Sequence, residues 1–557
     1  MSLPLLVGTL IVVLGLGYRT YGRFVARQYA LDGEAATPAV RREDGVDFVP
    51  TRPFYLLGQH FSAIAAAGPI AGPIFACQQF GWLPCVLWIG LGVVFIGAVH
   101  DFSTLVASVR HDARSIAEIV RAHVGPRAWL AFSAFLWVAL VYVILAFVDI
   151  TASTFVAGDA DTAGLEFGFD PGGAVAAAST LYLGLAIVMG LVQRWWNPPL
   201  WLATAIFVPA TLGAVWAGTQ LSGWLRFDAT TWSAVILAYC FVASLVPLWA
   251  LLQPRGYLGG FVLYLALAAG VAGVAFGGFE VKQPAFRAFD AGGETGLLFP
   301  FLFVTIACGA CSGFHGLVCS GTTSKQIARE THCTPVGYGA MLLEAFVAVI
   351  ALATVLVASD GSLKGKAAGA IYGQGLGRFV AAVVGERHLA LATTFGAMAF
   401  STFVFDTLDV STRLGRYVLQ ELFGWTGRPG ALAATGLTCA VPMALLFAGG
   451  PGSYRSFWTL FGTSNQLLAA LSLLGVSVWL RRSGRRAWFT LAPMAFVLAV
   501  TLSALALQIR AGFTAGATRA AQINAIVSVL LAFLAGSLVV LGFRAMRAPA
   551  EPSTSRS

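Results

Sequence analysis

Apolar residues gather along this chain in fifteen runs, each near the roughly 20 residues that a helix needs to cross a hydrocarbon core of about 30 Å. They lie near 3–18, 56–79, 82–108, 129–156, 174–193, 198–219, 231–252, 256–278, 297–321, 335–358, 390–411, 429–448, 456–480, 487–508 and 521–544. The pattern predicts an all-α polytopic membrane protein of about fifteen transmembrane helices. The first run resembles a secretory signal in length, but Met1-Ser2-Leu3-Pro4 carries no positive charge and Arg19-Thr20-Tyr21 stands where small residues would mark cleavage; it is read as a helix. The polar intervals 19–55 and 359–389 are long enough for short interfacial helices.

Composition narrows the class. Only 11% of the 557 residues are charged and 58% are hydrophobic, against about a quarter charged in soluble domains, which excludes a soluble globular protein. The 63 glycines and 23 prolines follow no Gly-X-Y period and instead suggest close-packed or interrupted helices. Eight cysteines lie in or beside apolar runs and suggest no disulfide framework. Basic residues divide unequally between alternate loops. One set holds 24, including Arg255, Arg413, Arg416 and the cluster Arg481 to Arg486, and the other holds 10. Because Lys and Arg accumulate on the cytoplasmic side, this predicts an outside N-terminus and a cytoplasmic C-terminus. Those arginines account for the net charge of +9 with the bilayer as partner and no nucleic acid.

Two runs carry interruptions near their midpoints: Gly68-Pro69-Ile70-Ala71-Gly72-Pro73 and Cys308-Gly309-Ala310-Cys311-Ser312-Gly313. Proline removes a backbone donor and crowds the carbonyl four residues back, so continuous helix is disfavoured at the first. The two runs are an odd number of spans apart and so cross in opposite directions. Paired mid-membrane breaks in oppositely oriented halves predict an inverted-repeat secondary transporter, its substrate held by unwound carbonyls and half-helix N-termini. The bland alternative is two kinks that let helices pack through small residues. The predicted organisation is an N-terminal helix and basic cytoplasmic loop over 1–55, a first repeat over 56–278, a second over 297–544 and a disordered tail over 545–557. Repeats of five or of seven helices both fit.

Five carboxylates fall within or at the ends of the runs, where ionised acids are expensive: Asp101, Asp149, Glu344, Asp406 and Asp409. Asp406 and Asp409 share a helix face, with Arg413 four residues on. Two neighbouring carboxylates in low dielectric resist joint ionisation, which makes the pair a candidate proton carrier; the alternative is an Asp409–Arg413 ion pair at the cytoplasmic interface. His60 and His315 flank the two breaks, and imidazole titrates near neutral pH. Cys308, Cys311, His315 and Cys319 form one helical stripe of zinc-type ligands, of which a straight helix could converge three at most. No Walker phosphate loop, Gly-x-Ser-x-Gly or His-Glu-x-x-His element suggests a cofactor or hydrolase.

Several segments resemble the carbon starvation protein A family. They are Gly58-Gln59-His60-Phe61-Ser62 running into Ala67 to Pro73, Gly97 to Phe102 (GAVHDF), Cys308 to Ser324 (CGACSGFHGLVCSGTTS), Thr407 to Tyr417, and Trp458 to Leu467 (WTLFGTSNQL). The resemblance covers most of the chain. It implies an inner-membrane bacterial carrier for peptides or pyruvate, related to amino acid and cation symporters, that takes up a small carbon source driven by protons.

Combining both lines, the expected substrate site comprises Gly68, Pro69, Gly72, Pro73, Gly309, Ser312, Gly313, His60 and His315. Asp101, Glu344, Asp406 and Asp409 are the expected proton-coupling groups, with no cofactor. The rival readings are a membrane metalloenzyme built on the Cys/His stripe and an uncoupled channel.

Overall fold

The computed structural model describes residues 2–45, 47–65, 67–156, 158, 167–293, 295–363, 365–450 and 454–547. Most of the tail expected to be disordered, 548–557, lies outside them. The described residues are helical throughout, apart from loops and three isolated β-bridges. In chain order the principal helices are α1 (Leu3–Tyr29), α2 (Pro53–Ile64), α3 (Gly68–Phe80), α4 (Trp82–Arg110), α5 (Pro126–Phe155), α6 (Pro171–Trp196), α7 (Leu200–Gln220), α8 (Ala229–Leu245) and α9 (Leu252–Phe276). There follow α10 (Leu298–Thr305), α11 (Phe314–Gly321), α12 (Glu330–Leu356), α13 (Ala368–Val384), α14 (Glu386–Phe423), α15 (Gly427–Gly449), α16 (Ser456–Arg482), α17 (Trp488–Gly512) and α18 (Arg519–Arg547).

Twelve of these are individually long and apolar enough to cross a membrane, not fifteen. The other three apolar runs are shorter or divided elements: the bent pair α2–α3, the 17-residue α8, and the short pair α10–α11. A second departure lies in 359–389, read as a loop with interfacial helices. It contains α13, a mostly buried helix laid against α14 with Gly373 and Gly377 facing Ala397 and Thr393. Its Gln374 and Arg378 break the apolar run and so conceal it in the sequence.

Helix starts follow local chemistry. Proline opens α5 and α6, where its missing N–H is one that no helical carbonyl would meet, and Asp170 and Asp228 accept from Gly173 N and Thr231 N to cap α6 and α8. Burial then sorts the helices. The apolar window of α16 is 100% buried, whereas those of α7 and α18 are 28% buried and leave large apolar side chains outward. Trp195, Trp196 and Trp201 are exposed where α6 gives way to α7, and Trp216 and Trp224 at the far end of α7, the interfacial positions tryptophan favours in a bilayer.

The loops meet in two separate sets. Arg110 pairs with Glu330 at 2.9 Å and donates to Tyr29 O, to which Arg485 also donates; Arg41 pairs with Asp112, and Val49 N donates to Lys325 O. At the other end Arg287 pairs with Asp360, Arg226 pairs with Asp170, and Leu3 N donates to Phe279 O. These are the same groupings that the alternation of basic loops predicts.

Candidate functional site

The first interruption is displaced from its expected position. α2 ends at Ile64, Ala65 leaves helical geometry (φ −75°, ψ 57°), and α3 begins at Gly68, its axis turned by 50°. Gly68 to Pro73 therefore opens the second half-helix rather than interrupting the first. Pro69 stands in the first turn, where it forfeits no helical bond, and Pro73 lies one turn inside. The second interruption falls where expected but is wider: α10 ends at Thr305, and 306–313 is not regular helix until α11 starts at Phe314. The two breaks touch. A Cβ on Gly72 would lie 2.5 Å from the Thr305 carbonyl oxygen, and one on Gly68 would collide with Cys308 Sγ, so the approach requires glycine.

Unwound backbone in an apolar interior needs partners. Here side chains from α4 and α16 supply them. Asn465 Oδ1 accepts from Phe314 N at 2.9 Å, its carbonyl accepts from Gly313 N at 3.0 Å, and its Nδ2 donates to Ser312 Oγ at 3.0 Å. Trp88 Nε1 donates to the Phe303 and Ile306 carbonyls, Gln466 Nε2 to Phe303 O and Trp458 Nε1 to Thr305 O. In this structure, then, the N-terminus of α11 and the last carbonyls of α10 are occupied by protein groups. Asn465, Trp458 and Gln466 all lie in the stretch Trp458 to Leu467, but no charge or break marks them in the sequence.

In its first turn after the break, α11 carries His315 into a fully buried cluster. Its Nδ1 donates to Asp101 Oδ2 at 2.8 Å, and its Nε2 faces Glu344 Oε2 at 3.1 Å. His100 Nδ1 donates to the other Asp101 oxygen at 2.7 Å. Asp101 is thus saturated, whereas neither oxygen of Glu344 has an aligned hydrogen bond. His60, buried on α2, meets Thr323 Oγ1 at 2.8 Å and Cys319 Sγ at 3.7 Å. Asp149 is buried on α5.

Asp406 and Asp409 form a separate cluster with a cation that the sequence reading misassigned. Arg255, counted there among the cytoplasmic loop residues, is 1% exposed in the first turn of α9. It pairs with Asp406 at 2.5 Å and Asp409 at 2.7 Å. Tyr239 donates to Asp409 at 2.8 Å, and Tyr182 donates to the Arg255 carbonyl at 2.7 Å. Arg413 is not the partner of Asp409: it donates to the carbonyls of Ala243 and Val246, and Arg416 to that of Ser244, closing the end of α8. The last carbonyls of a helix have no intrahelical donor, and arginine side chains can satisfy them.

The Cys/His stripe does not converge. Cys308 accepts from Asn465 Nδ2 at 3.4 Å, Cys319 faces His60, and His315 is held by carboxylates. Among the described residues no group of three His, Cys, Asp or Glu side chains is arranged to hold a metal ion.

A cavity of about 440 Å³ opens beside the breaks, lined by Phe75, Gln78 and Gln79 of α3, Thr305 of α10, Ser456, Trp458 and Thr459 of α16, and Thr295 and Thr518 from loops. Among the described residues the lining is hydroxyl, amide and aromatic, with no charged side chain. Thr305, the last residue before the break, and Trp458, which donates to its carbonyl, are also in the cavity wall.

A multi-span helical bundle with two interrupted helices joined at their breaks, a buried acid–imidazole cluster beside them and a polar cavity above is the construction of a secondary transporter. The chain belongs to the carbon starvation protein CstA family, whose model matches residues 2–365 and 359–504. It is 32% identical to the peptide transporter CstA of Escherichia coli (strain K12), over 88% of this chain and 78% of that protein. It is also 32% identical to the pyruvate/proton symporter BtsT of the same organism, over 89% and 80%. Among solved structures, MhsT in complex with L-phenylalanine is similar with a TM-score of 0.46 and 12% identity, covering 88% of this chain and 98% of that one.

Proposed function

We propose that this protein is a proton-coupled symporter that imports a small carbon source, a peptide or a pyruvate-like monocarboxylate, with its N-terminus outside and its C-terminus in the cytoplasm. The observation that carries the coupling is His315, set at the start of α11 between a saturated Asp101 and an unsaturated Glu344. Glu344 takes the proton, and His315 Nε2 shares it: an imidazolium facing a carboxylate and a neutral imidazole facing a carboxylic acid differ by one short transfer. Asp101 fixes the ring through Nδ1, so that Nε2 always faces Glu344. Because His315 directly follows the break, loading this site changes the charge beside the segment through which the two halves touch.

Substrate enters the polar cavity. On the proposed orientation its mouth is outward, since Gln79 at the end of α3 and Thr295, Ser456 and Thr518 lie on the Arg287–Asp360 side, opposite the Arg110–Glu330 pair. A carboxylate meets neutral hydroxyl and amide donors there, at Gln78, Gln79, Ser456 and Thr459. Deeper binding at Gly68, Pro69, Gly72, Pro73, Gly309, Ser312 and Gly313 requires Asn465 to release the α11 N-terminus to the substrate anion. The names peptide transporter CstA and pyruvate/proton symporter BtsT support both substrate classes.

Uptake of pyruvate and of a dipeptide into proteoliposomes under an imposed pH gradient tests this reading. Gradient-dependent accumulation of one of them is expected. Accumulation of neither would overturn it.

A further inference from the structure

A cleft of about 490 Å³ that shares no lining residue with the polar cavity lies between α1 and α4, where Val13, Gly17, Thr20 and Phe24 face Leu91 and Phe95. Three segments of π-helix meet around it: Tyr18–Gly22 within α1, Trp88–Gly97 within α4 and Thr334–Gly339 within α12. π turns are rare and recur at functional positions, because each inserts a residue and displaces the backbone ladder. The cleft is braced from behind. Tyr338 donates to the Val94 carbonyl at 2.7 Å, a group loosened by the π turn, and its ring lies against Gly22. Outward, the cleft opens on exposed apolar side chains, Leu91 at 52% and Phe95 at 45%, so its natural occupant is a hydrocarbon chain.

The polar end of that occupant is set by charge. Positions 13, 17, 20, 24 and 27 fall on one face of α1, alternately four and three residues apart, so Arg27 continues the lining stripe beyond the cleft and Arg23 stands beside it. Both are exposed, and among the described residues neither has a carboxylate within ion-pair distance. We propose that this cleft is a binding site for an anionic phospholipid, an acyl chain lying between α1 and α4 with the phosphate at Arg23 and Arg27.

The test is native mass spectrometry of the full, delipidated protein titrated with phosphatidylglycerol or phosphatidylcholine of the same chain length. Wild type should retain phosphatidylglycerol over phosphatidylcholine by about fivefold per arginine. The double variant R23A/R27A should lose that preference while keeping weak binding of both lipids. Thr20→Trp, a substitution at an exposed lining position that fills the cleft, should lose tight phosphatidylglycerol binding. Equal retention of the two lipids by wild type, a preference surviving in R23A/R27A, tight binding surviving in Thr20→Trp, or a dimer that covers the cleft would each overturn the proposal.

Discussion

Two clusters of buried charge in this protein have the same acid content and different cations. In one, Asp101 and Glu344 flank His315; in the other, Asp406 and Asp409 flank Arg255. Guanidinium does not lose its proton in a protein, so the Arg255 cluster holds a fixed charge, and its geometry ties α9 to α14. Imidazole exchanges its proton, so the His315 cluster has two forms of nearly the same shape. Saturation differs as well. Asp409 takes Arg255 and the Tyr239 hydroxyl on one oxygen and nothing on the other, Asp101 has a histidine on each oxygen, and Glu344 has no aligned hydrogen bond on either. A carboxylate with spare acceptor capacity beside an imidazole can load a proton without breaking a bond. Beside arginine the acid has no such exchange partner, because guanidinium keeps its own proton.

The largest effect that separates the clusters is on coupling. Glu344→Gln removes the proton acceptor and keeps the size of the side chain, so gradient-driven accumulation should fall to background while substrate exchange across the liposome membrane continues. Accumulation at the wild-type level would move the proton elsewhere. Next comes Arg255→Met, which strands the fully buried Asp409 beside Asp406 with no cation; a loss of about 3–5 kcal/mol is expected, visible as a large drop in folded yield and melting temperature. Adding D406N and D409N to it should recover much of the loss, and no recovery would mean that Arg255 acts through contacts other than its ion pairs.

Asn465→Ala should cost less, about 1–2 kcal/mol, by uncapping α11, and should weaken substrate affinity more than it lowers the melting temperature. Asp406→Asn should be the mildest. Its carboxylate is 23% exposed and Asp409 still holds Arg255, so a stability change of at most about 1 kcal/mol is expected, with coupling intact. Loss of coupling there would make the two clusters equivalent.

Much of this was legible in the chain. Apolar runs located every long span, glycine and proline marked both breaks to within a few residues, Asp101 and Glu344 stood out because charge in such a segment is costly, and His315 because it flanks a break. What escaped reading did so for identifiable reasons. Arg255 lies at the start of an apolar run, where an arginine looks like a topology signal; only the three-dimensional approach of α14 turns it into the partner of Asp406 and Asp409. Spacing offers an Asp409–Arg413 pair as the alternative to proton carriage, but Arg413 goes to the open carbonyls of α8, a helix far away in sequence. Asn465 is an uncharged amide in a serine- and threonine-rich stretch, and its role depends on the α10–α11 gap it faces. The run Gly68 to Pro73 reads as a break because prolines interrupt helices, although Pro69 stands in the first turn of α3, where it does not, and Pro73 is accommodated one turn further in.

The most direct test of the central claim follows proton movement itself. Proteoliposomes loaded with a pH-sensitive dye are given whichever substrate wild type accumulates, and internal acidification is recorded for wild type, Glu344→Gln and the triple variant R255M/D406N/D409N. Substrate-driven acidification should occur in wild type and in the triple variant and be absent in Glu344→Gln. Acidification by Glu344→Gln, or its loss in a folded triple variant that still exchanges substrate, would contradict the assignment of the coupling proton to His315 and Glu344.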